Sequence, residues 1–277
     1  MEIIDFRIML RTKESLREVV PEPAAHFAAY LDIFNMRQRL SFLSMEEHVE
    51  EMEKYGIARG VIFPSNEAGN AAIESICRAY PNNFMGLARV DLSKSIMHCL
   101  DVLKRCYEES GLCGLDLSPY ITGIPADDAR LYPLYALSAQ MNKVVVISTS
   151  QHYNPGCTLE VADPNHLDRV AVHFPELKLV MSHAGHGFGL LPLATAQRHP
   201  NVYLEFSALK PQYVEPSMLA AVNSVLREKC LFGTDYPVLD FSVVDQWKKA
   251  IRPENHQRFF SGNAARLLGL DMPAEIP

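Results

Sequence analysis

Side chains able to move protons or grip anions recur at one kind of place in this sequence, at or just past the end of a short apolar run. Ser182-His183 closes the run from Lys178, Thr234-Asp235 follows Cys230–Phe232, and Glu205 and Ser207 end the run from Asn201. Ser148 and Ser150 end Lys143–Thr149, Asp116 and Ser118 end Cys113–Leu117, and Asp5, Arg7 and Met9 alternate along and just past Ile3–Ile8. A histidine needs little tuning to accept or donate a proton near neutral pH. A carboxylate beside a cation stays ionised. A guanidinium keeps its charge inside a protein and pairs with a carboxylate through two hydrogen bonds. Such groups act together only if the chain carries them to one place.

The elements that carry them are regular. Short β-branched runs at Ile3–Ile8, Ala58–Phe63, Phe84–Val90, Cys113–Leu117, Lys143–Thr149, Lys178–Ser182, Asn201–Phe206 and Cys230–Phe232 predict strands. Amphipathic stretches separate most of them. Met45–Tyr55 puts Met45, Val49 and Met52 on one stripe with glutamates opposite and Gly56 as the stop. Ala71–Tyr80, Ser95–Glu109, Ala129–Asn142, His166–Phe174, Leu190–His199, Pro216–Arg227, Val243–Ile251 and Pro253–Leu268 predict further helices. Continuous apolar strands alternating with helices imply parallel strands covered on both faces. Eight such units in 277 residues predict an α/β fold, a single-domain (β/α)8 TIM barrel over residues 1–277. A doubly wound open sheet is the alternative, but no GxGxxG follows any strand. In a barrel the C-terminal strand ends converge on one face, and a period of two turns alternate side chains inward. Residues 10–44 are too long for an ordinary strand-to-helix loop. With Pro21, Pro23, Phe27, Tyr30, Phe34, Phe42 and Arg37-Gln38-Arg39, this segment is expected to be an active-face lid or specificity loop, with rim packing or a subunit contact as the alternative.

Composition excludes other classes. Apolar residues at 48%, charged residues at 21% and a net charge of −7 rule out a disordered, collagen-like or disulfide-knot chain. The same charge argues against a nonspecific nucleic-acid or polybasic membrane binder. Six cysteines without CxxC or zinc-ribbon spacing are expected to be reduced and buried, which favours a cytoplasmic protein. No run approaches the roughly 20 apolar residues that span a bilayer, and the first residues are too short and acidic for a signal peptide. There is no GxSxG elbow, and AGHGFG (residues 184–189) lacks the Gly-Lys-Ser/Thr ending of a P-loop. His152 and His186 follow strands 5 and 6, so their loops are expected on the active face. His26, His48, His98, His166, His173, His199 and His256 are expected mostly at the surface.

Several segments, in order, resemble the amidohydrolase-related family: Ile4-Asp5-Phe6, Gly111–Pro119, Val144–Thr149, FPELKLVMSHAG (174–185), Asn201–Ser207, LFGTDYP (231–237) and GNAARLLGL (262–270). This branch of the amidohydrolase superfamily holds aminocarboxymuconate-semialdehyde and resorcylate decarboxylases and pyrone-dicarboxylate lactonases. LFGTDYP and NAARLLGL carry the resemblance most specifically, and it implies the same barrel. It also implies a metal site that this chain keeps only in part. The strand-1 His-x-His is replaced by Arg7-Ile8-Met9 and the strand-5 histidine by Ser148. The strand-4 lysine or acidic position corresponds to Asp116 or Ser118, while His183 and Asp235 match.

On that correspondence Asp235 is the expected general base and His183 the proton donor or carbonyl polariser. Arg7 would set a permanent cation where the metal sits and repel a second one, so no cofactor is expected. The alternative is one divalent metal such as zinc on His183, Asp235 and Asp116. Arg7 is expected to hold a substrate carboxylate, or else to be neutralised by Asp5, Asp116 or Asp235. Asp116, Ser148, His152, His186 and Tyr236 complete the expected substrate site. The activity expected is metal-independent hydrolysis of a small carboxylated lactone or similar cyclic ester. The alternatives are a metal-dependent hydrolase or decarboxylase and a non-catalytic barrel that binds a small anion. The expected partner is a small carboxylated molecule, not nucleic acid or membrane, with homo-oligomerisation left open.

Overall fold

The predicted runs pair side by side into one ring. The computed structural model describes residues 1–12, 31–33, 36 and 40–270. Its strands are β1 (Ile3–Ile8), β2 (Ile57–Ile62), β3 (Phe84–Ala88), β4 (Gly114–Leu117), β5 (Val144–Ser148), β6 (Lys178–Ser182), β7 (Val202–Glu205) and β8 (Cys230–Leu231). They are parallel and hydrogen-bonded in sequence order. Closure between β8 and β1 comes from Phe6 N–H to Phe232 O, Asp235 N–H to Arg7 O and Met9 N–H to Tyr236 O. The fold is the (β/α)8 barrel that the alternation predicts.

Around it lie α1 (Met45–Lys54), α2 (Asn70–Ala79), α3 (Ile96–Glu108), α4 (Pro119–Thr122), α5 (Tyr132–Gln140), α6 (Pro164–His173), α7 (Leu191–Arg198), α8 (Pro216–Val222), α9 (Val243–Ala250) and α10 (Asn263–Leu268). Period two sorts the strand residues. Val145 and Ile147 join the layer under the helices, whereas Val144 and Val146 fill the lumen with Ile4, Phe6, Val61, Leu87, Val180 and Leu231. The single helix expected over Pro253–Leu268 is instead a 3-10 turn, a π-helical turn (Arg258–Gly262) and α10. The wider turn buries both Phe259, against Trp247 and Phe206, and Phe260, against Phe232.

Of the residues before α1 that are described, Leu31 and Met36 are buried against Val238, which follows β8. Pro21, Pro23, Phe27, Tyr30, Phe34 and the 37–39 cluster lie outside the described residues. Ser44 ends the segment with a capping box: its hydroxyl accepts the Glu47 N–H, and the Glu47 carboxylate accepts the Ser44 N–H. All six cysteines are free thiols. Among the described residues no helix is long and apolar enough to cross a membrane.

His48 and His199, expected at the surface, are buried. His48 lies on the inner face of α1, where its Nε2 accepts the Arg11 N–H at 2.9 Å. Burial, with the charge of Arg11 adding to it, pushes its pKa down to about 4. A histidine that stays neutral in the folded chain but protonates in the unfolded one destabilises the fold as pH falls. We therefore expect stability to drop by up to about 3 kcal/mol between about pH 6.5 and 4 from this residue. Urea unfolding at both ends of that window should show a smaller difference in His48→Gln; an unchanged difference would assign the acid sensitivity elsewhere.

Candidate active site

The C-terminal strand ends bring Arg7, Asp116 and Asp235 into one ion-pair network. From β1, Arg7 Nη1 donates to Asp116 Oδ1 on β4 at 2.8 Å, and its Nε donates to Asp235 Oδ1, past β8, at 3.1 Å. Arg89, just past β3, donates to Asp116 Oδ2 from Nε at 2.8 Å and from Nη2 at 2.5 Å. Its remaining bonds go to Ser118 Oγ at 3.0 Å and Ser65 O at 2.7 Å. Asp116 is thus sealed between two guanidiniums. Burial would raise its pKa, but the two positive charges outweigh that and lower it. Burial would likewise lower Arg7, and Asp116 and Asp235 more than offset it. The Phe63 ring lies under both cations, 4.1 Å from the Arg7 guanidinium carbon and 5.4 Å from that of Arg89. Among the described residues Arg7 Nη2 makes no hydrogen bond, and neither does Asp235 Oδ2.

His183 sits past the end of β6 and is tied to β7. Its Nδ1 lies 3.0 Å from Ser207 Oγ and 3.2 Å from Ser207 O. Ser207 Oγ donates to Glu205 Oε2 at 2.8 Å, Ser182 Oγ donates to the same oxygen at 2.7 Å, and the Ser207 N–H donates to Oε1 at 2.5 Å. Glu205 is fully buried, which raises its pKa while the charges of His183 and Arg7 pull the other way. Only glycine fits at position 233, because a Cβ there would fall 2.1 Å from Glu205 Oε1. His183, Ala184, Ala208 and Asp235 all have left-handed backbone, with φ of 58°, 49°, 57° and 57°. Each such residue costs roughly 1–3 kcal/mol, a strain that concentrates at functional sites.

The other expected residues divide. Among the described residues Ser148 Oγ is buried without a hydrogen-bond partner, and it ends β5 beside Ser182. His152 is committed to support. Its ring nitrogens engage Asn154 N–H and Thr158 O, and its face stacks on Tyr120 at 5.4 Å. Tyr236 stacks on Phe241 at 4.2 Å, with the Arg11 guanidinium 5.0 Å away, so it packs as wall. His186 is half-buried, and burial lowers its pKa. Asp5 accepts from Thr234 N–H, Thr234 Oγ1 and Arg7 N–H, locking β1 to the turn after β8. Burial pushes it up to about 8 against those donors. A cavity of about 1250 Å³ opens beside Arg89, Asp116 and Ser118, walled by α2 and α3. Arg89, Phe63 and Tyr120 are absent from the expected site, although Arg89 is the one charged residue in the Phe84–Val90 run.

A parallel barrel whose C-terminal mouth gathers an arginine, two aspartates and a histidine from separate strands has the build of an enzyme. The chain belongs to the amidohydrolase family, whose model matches residues 22–270. It is 24% identical over 236 residues to the 2-amino-3-carboxymuconate-6-semialdehyde decarboxylase of Dictyostelium discoideum, a match covering 73% of this chain and 66% of that relative. The TIM-barrel protein Bb4693 of Bordetella bronchiseptica superposes with a TM-score of 0.80 at 26% identity, over 97% of this chain and 99% of that one. A dihydroxybenzoic acid decarboxylase from Polaromonas sp. JS666, with bound manganese and 2-nitroresorcinol, has a TM-score of 0.72 at 16% identity over 98% of each chain.

The manganese of that last structure corrects the expectation of no cofactor: a decarboxylase of the same fold carries a divalent metal, and Arg7 alone does not license reading one out. Among the described residues no group of three or more His, Cys, Asp or Glu stands together as a metal site. His183, Asp235 and Asp116, the alternative zinc ligands, do not form a ligand cluster, since Arg7 and Arg89 take both Asp116 oxygens and Arg7 takes one of Asp235. In this arrangement they do not fit the ion. Arg7→His would free one oxygen on each aspartate and remove the competing charge. It is expected to bind manganese at least about tenfold more tightly than the parent chain in calorimetric titration; equal affinity would mean that the arginine does not guard a cation position.

Proposed function

We propose that this protein is a carboxy-lyase acting on a small carboxylated substrate. The observation that carries the proposal is the half-open arginine. Arg7 sits in a buried network that engages its Nε and Nη1, and its Nη2 has no partner among the described residues. An anionic substrate oxygen completes it. Decarboxylation breaks the bond between the carboxylate carbon and the skeleton. Carbon dioxide leaves, and the electron pair stays on the skeleton, spread onto a conjugated oxygen. A cation on the leaving carboxylate would stabilise the ground state, whereas one on the oxygen that gains charge favours the transition state. Arg7 is therefore assigned to that oxygen. His183, whose Nε2 also lacks a partner among the described residues, donates as the imidazolium: Nε2–H gives its proton to the carbon, the ring is left in the neutral Nδ1–H form, and a proton from solvent restores it. The decarboxylases among the relatives support this reading.

One observation favours a second reading. Asp235 Oδ2, without a partner among the described residues, could take a proton from water, which suits hydrolysis of a carboxylated lactone or cyclic ester. Products separate the two. A panel of carboxylated phenols, carboxymuconate semialdehydes and carboxylated lactones, run with and without manganese, is expected to release carbon dioxide from at least one compound. Ring opening without carbon dioxide would establish hydrolysis instead, and no turnover across the panel would sink both readings.

A further inference from the structure

We propose that Glu205 is a positioning residue which, through Ser207, holds His183 as its Nδ1–H tautomer and leaves Nε2 as the atom that exchanges protons in the mouth. The inference rests on His183 being the acid–base of the proposed reaction, but its geometry is independent of any substrate.

Three features together favour that tautomer. The Ser207 carbonyl oxygen, 3.2 Å from Nδ1, can only accept, so it favours hydrogen on Nδ1 but shares that hydrogen with the nearer hydroxyl. The Ser207 hydroxyl, 3.0 Å from the same nitrogen, has one hydrogen, and that hydrogen points to Glu205 Oε2. Its oxygen therefore meets Nδ1 with a lone pair. Glu205 enforces this because everything that reaches it donates: two hydroxyls on Oε2 and the Ser207 N–H on Oε1. The network is buried, with Ser182, Glu205 and Ser207 all fully covered, so water does not substitute for a missing partner. Gly233 marks the space that the carboxylate needs.

A glutamine at 205 fits the same volume but presents an amide N–H2. Donating to the Ser207 oxygen, it would turn the hydroxyl hydrogen toward His183 and favour hydrogen on Nε2. The tautomer of an imidazole is set by what its other nitrogen meets, and the nitrogen shifts report it directly. Protein labelled with 15N-histidine, observed near pH 8 with the His183 signals assigned through His183→Asn, should give a pyrrole-type Nδ1 and a pyridine-type Nε2. Glu205→Gln and Ser207→Ala should both move these signals toward the Nε2–H form, and Ser207→Thr should restore the parent pattern. Circular dichroism would establish that each variant is folded, and Ser207→Ala serves if Glu205→Gln is not. His183 signals unchanged in both variants would overturn the proposal. Altered signals together with full turnover by His183→Asn would leave the proposal standing and remove His183 from the proposed chemistry, so the two failures are distinguishable.

Discussion

Replacing His183 by asparagine is expected to lower turnover by roughly 10²–10⁴-fold while KM stays within a few-fold. The split follows from where the ring is held. Its Nδ1 is committed to Ser207, so only Nε2 faces the substrate, and a proton delivered from Nε2 matters in the transition state rather than in binding. Asparagine retains a polar group near Ser207 and removes the exchangeable proton. The fold should hold, since the bonds that Ser182 and Ser207 make to Glu205 survive the change. Steady-state kinetics on whichever carboxylated compound releases carbon dioxide would decide it. A rise in KM at constant kcat would make His183 a binding residue, and a loss below tenfold would move the proton donor elsewhere, with Tyr120 and His186 next in line.

The barrel was legible because its signal is repeated. Eight runs, each apolar on both faces, leave few arrangements other than a closed parallel sheet. The polar residues that interrupt those runs at their ends were legible for the same reason, and Arg7, Asp116, His183 and Asp235 all stand at the mouth. Arg89 is not, because the third apolar run continues to Val90 in the sequence, while the strand stops at Ala88 and leaves Arg89 free to turn onto Asp116. Pairing across strands is a property of register that one-dimensional spacing does not contain, so the tie from Glu205 to Ser182 was invisible. The burial of His48 is not legible either, because a histidine on an amphipathic helix reads as surface, whereas the backbone of Arg11, 37 positions away, supplies its partner. The identity of a bound cation is harder still. A residue type shows which charge is present, not what occupies the space beside it, and a manganese-bound relative of the same fold was needed to correct that expectation.

Arg7→Met should have the largest combined effect. It deletes the charge between Asp116 and Asp235 and the donor assigned to the substrate. Breaking a buried ion pair by removing one partner costs about 3–5 kcal/mol, and because Arg89 still holds Asp116 the lower end is expected. The loss should also depend on pH in a definite direction. In the parent, Arg7 helps hold the Asp116 pKa below its ordinary value, a stabilisation present above the unfolded carboxylate range near pH 4 and lost as pH falls through the folded value. The variant forfeits part of that term, so the gap between the two proteins should be widest near neutrality and narrow on acidification. Arg7→Lys separates charge from geometry. A single ammonium restores one ion pair but cannot reach Asp116, Asp235 and a substrate oxygen together from three nitrogens as the guanidinium does. It should recover roughly half of the lost stability while kcat/KM remains at least about 100-fold down, since the substrate contact is what it lacks. Urea unfolding and carbon dioxide release measured on the same preparations would test both halves. If lysine restored activity along with stability, Arg7 would be acting as a charge that holds the mouth in shape, and the substrate oxygen would have to be placed on Arg89 or Tyr120 instead.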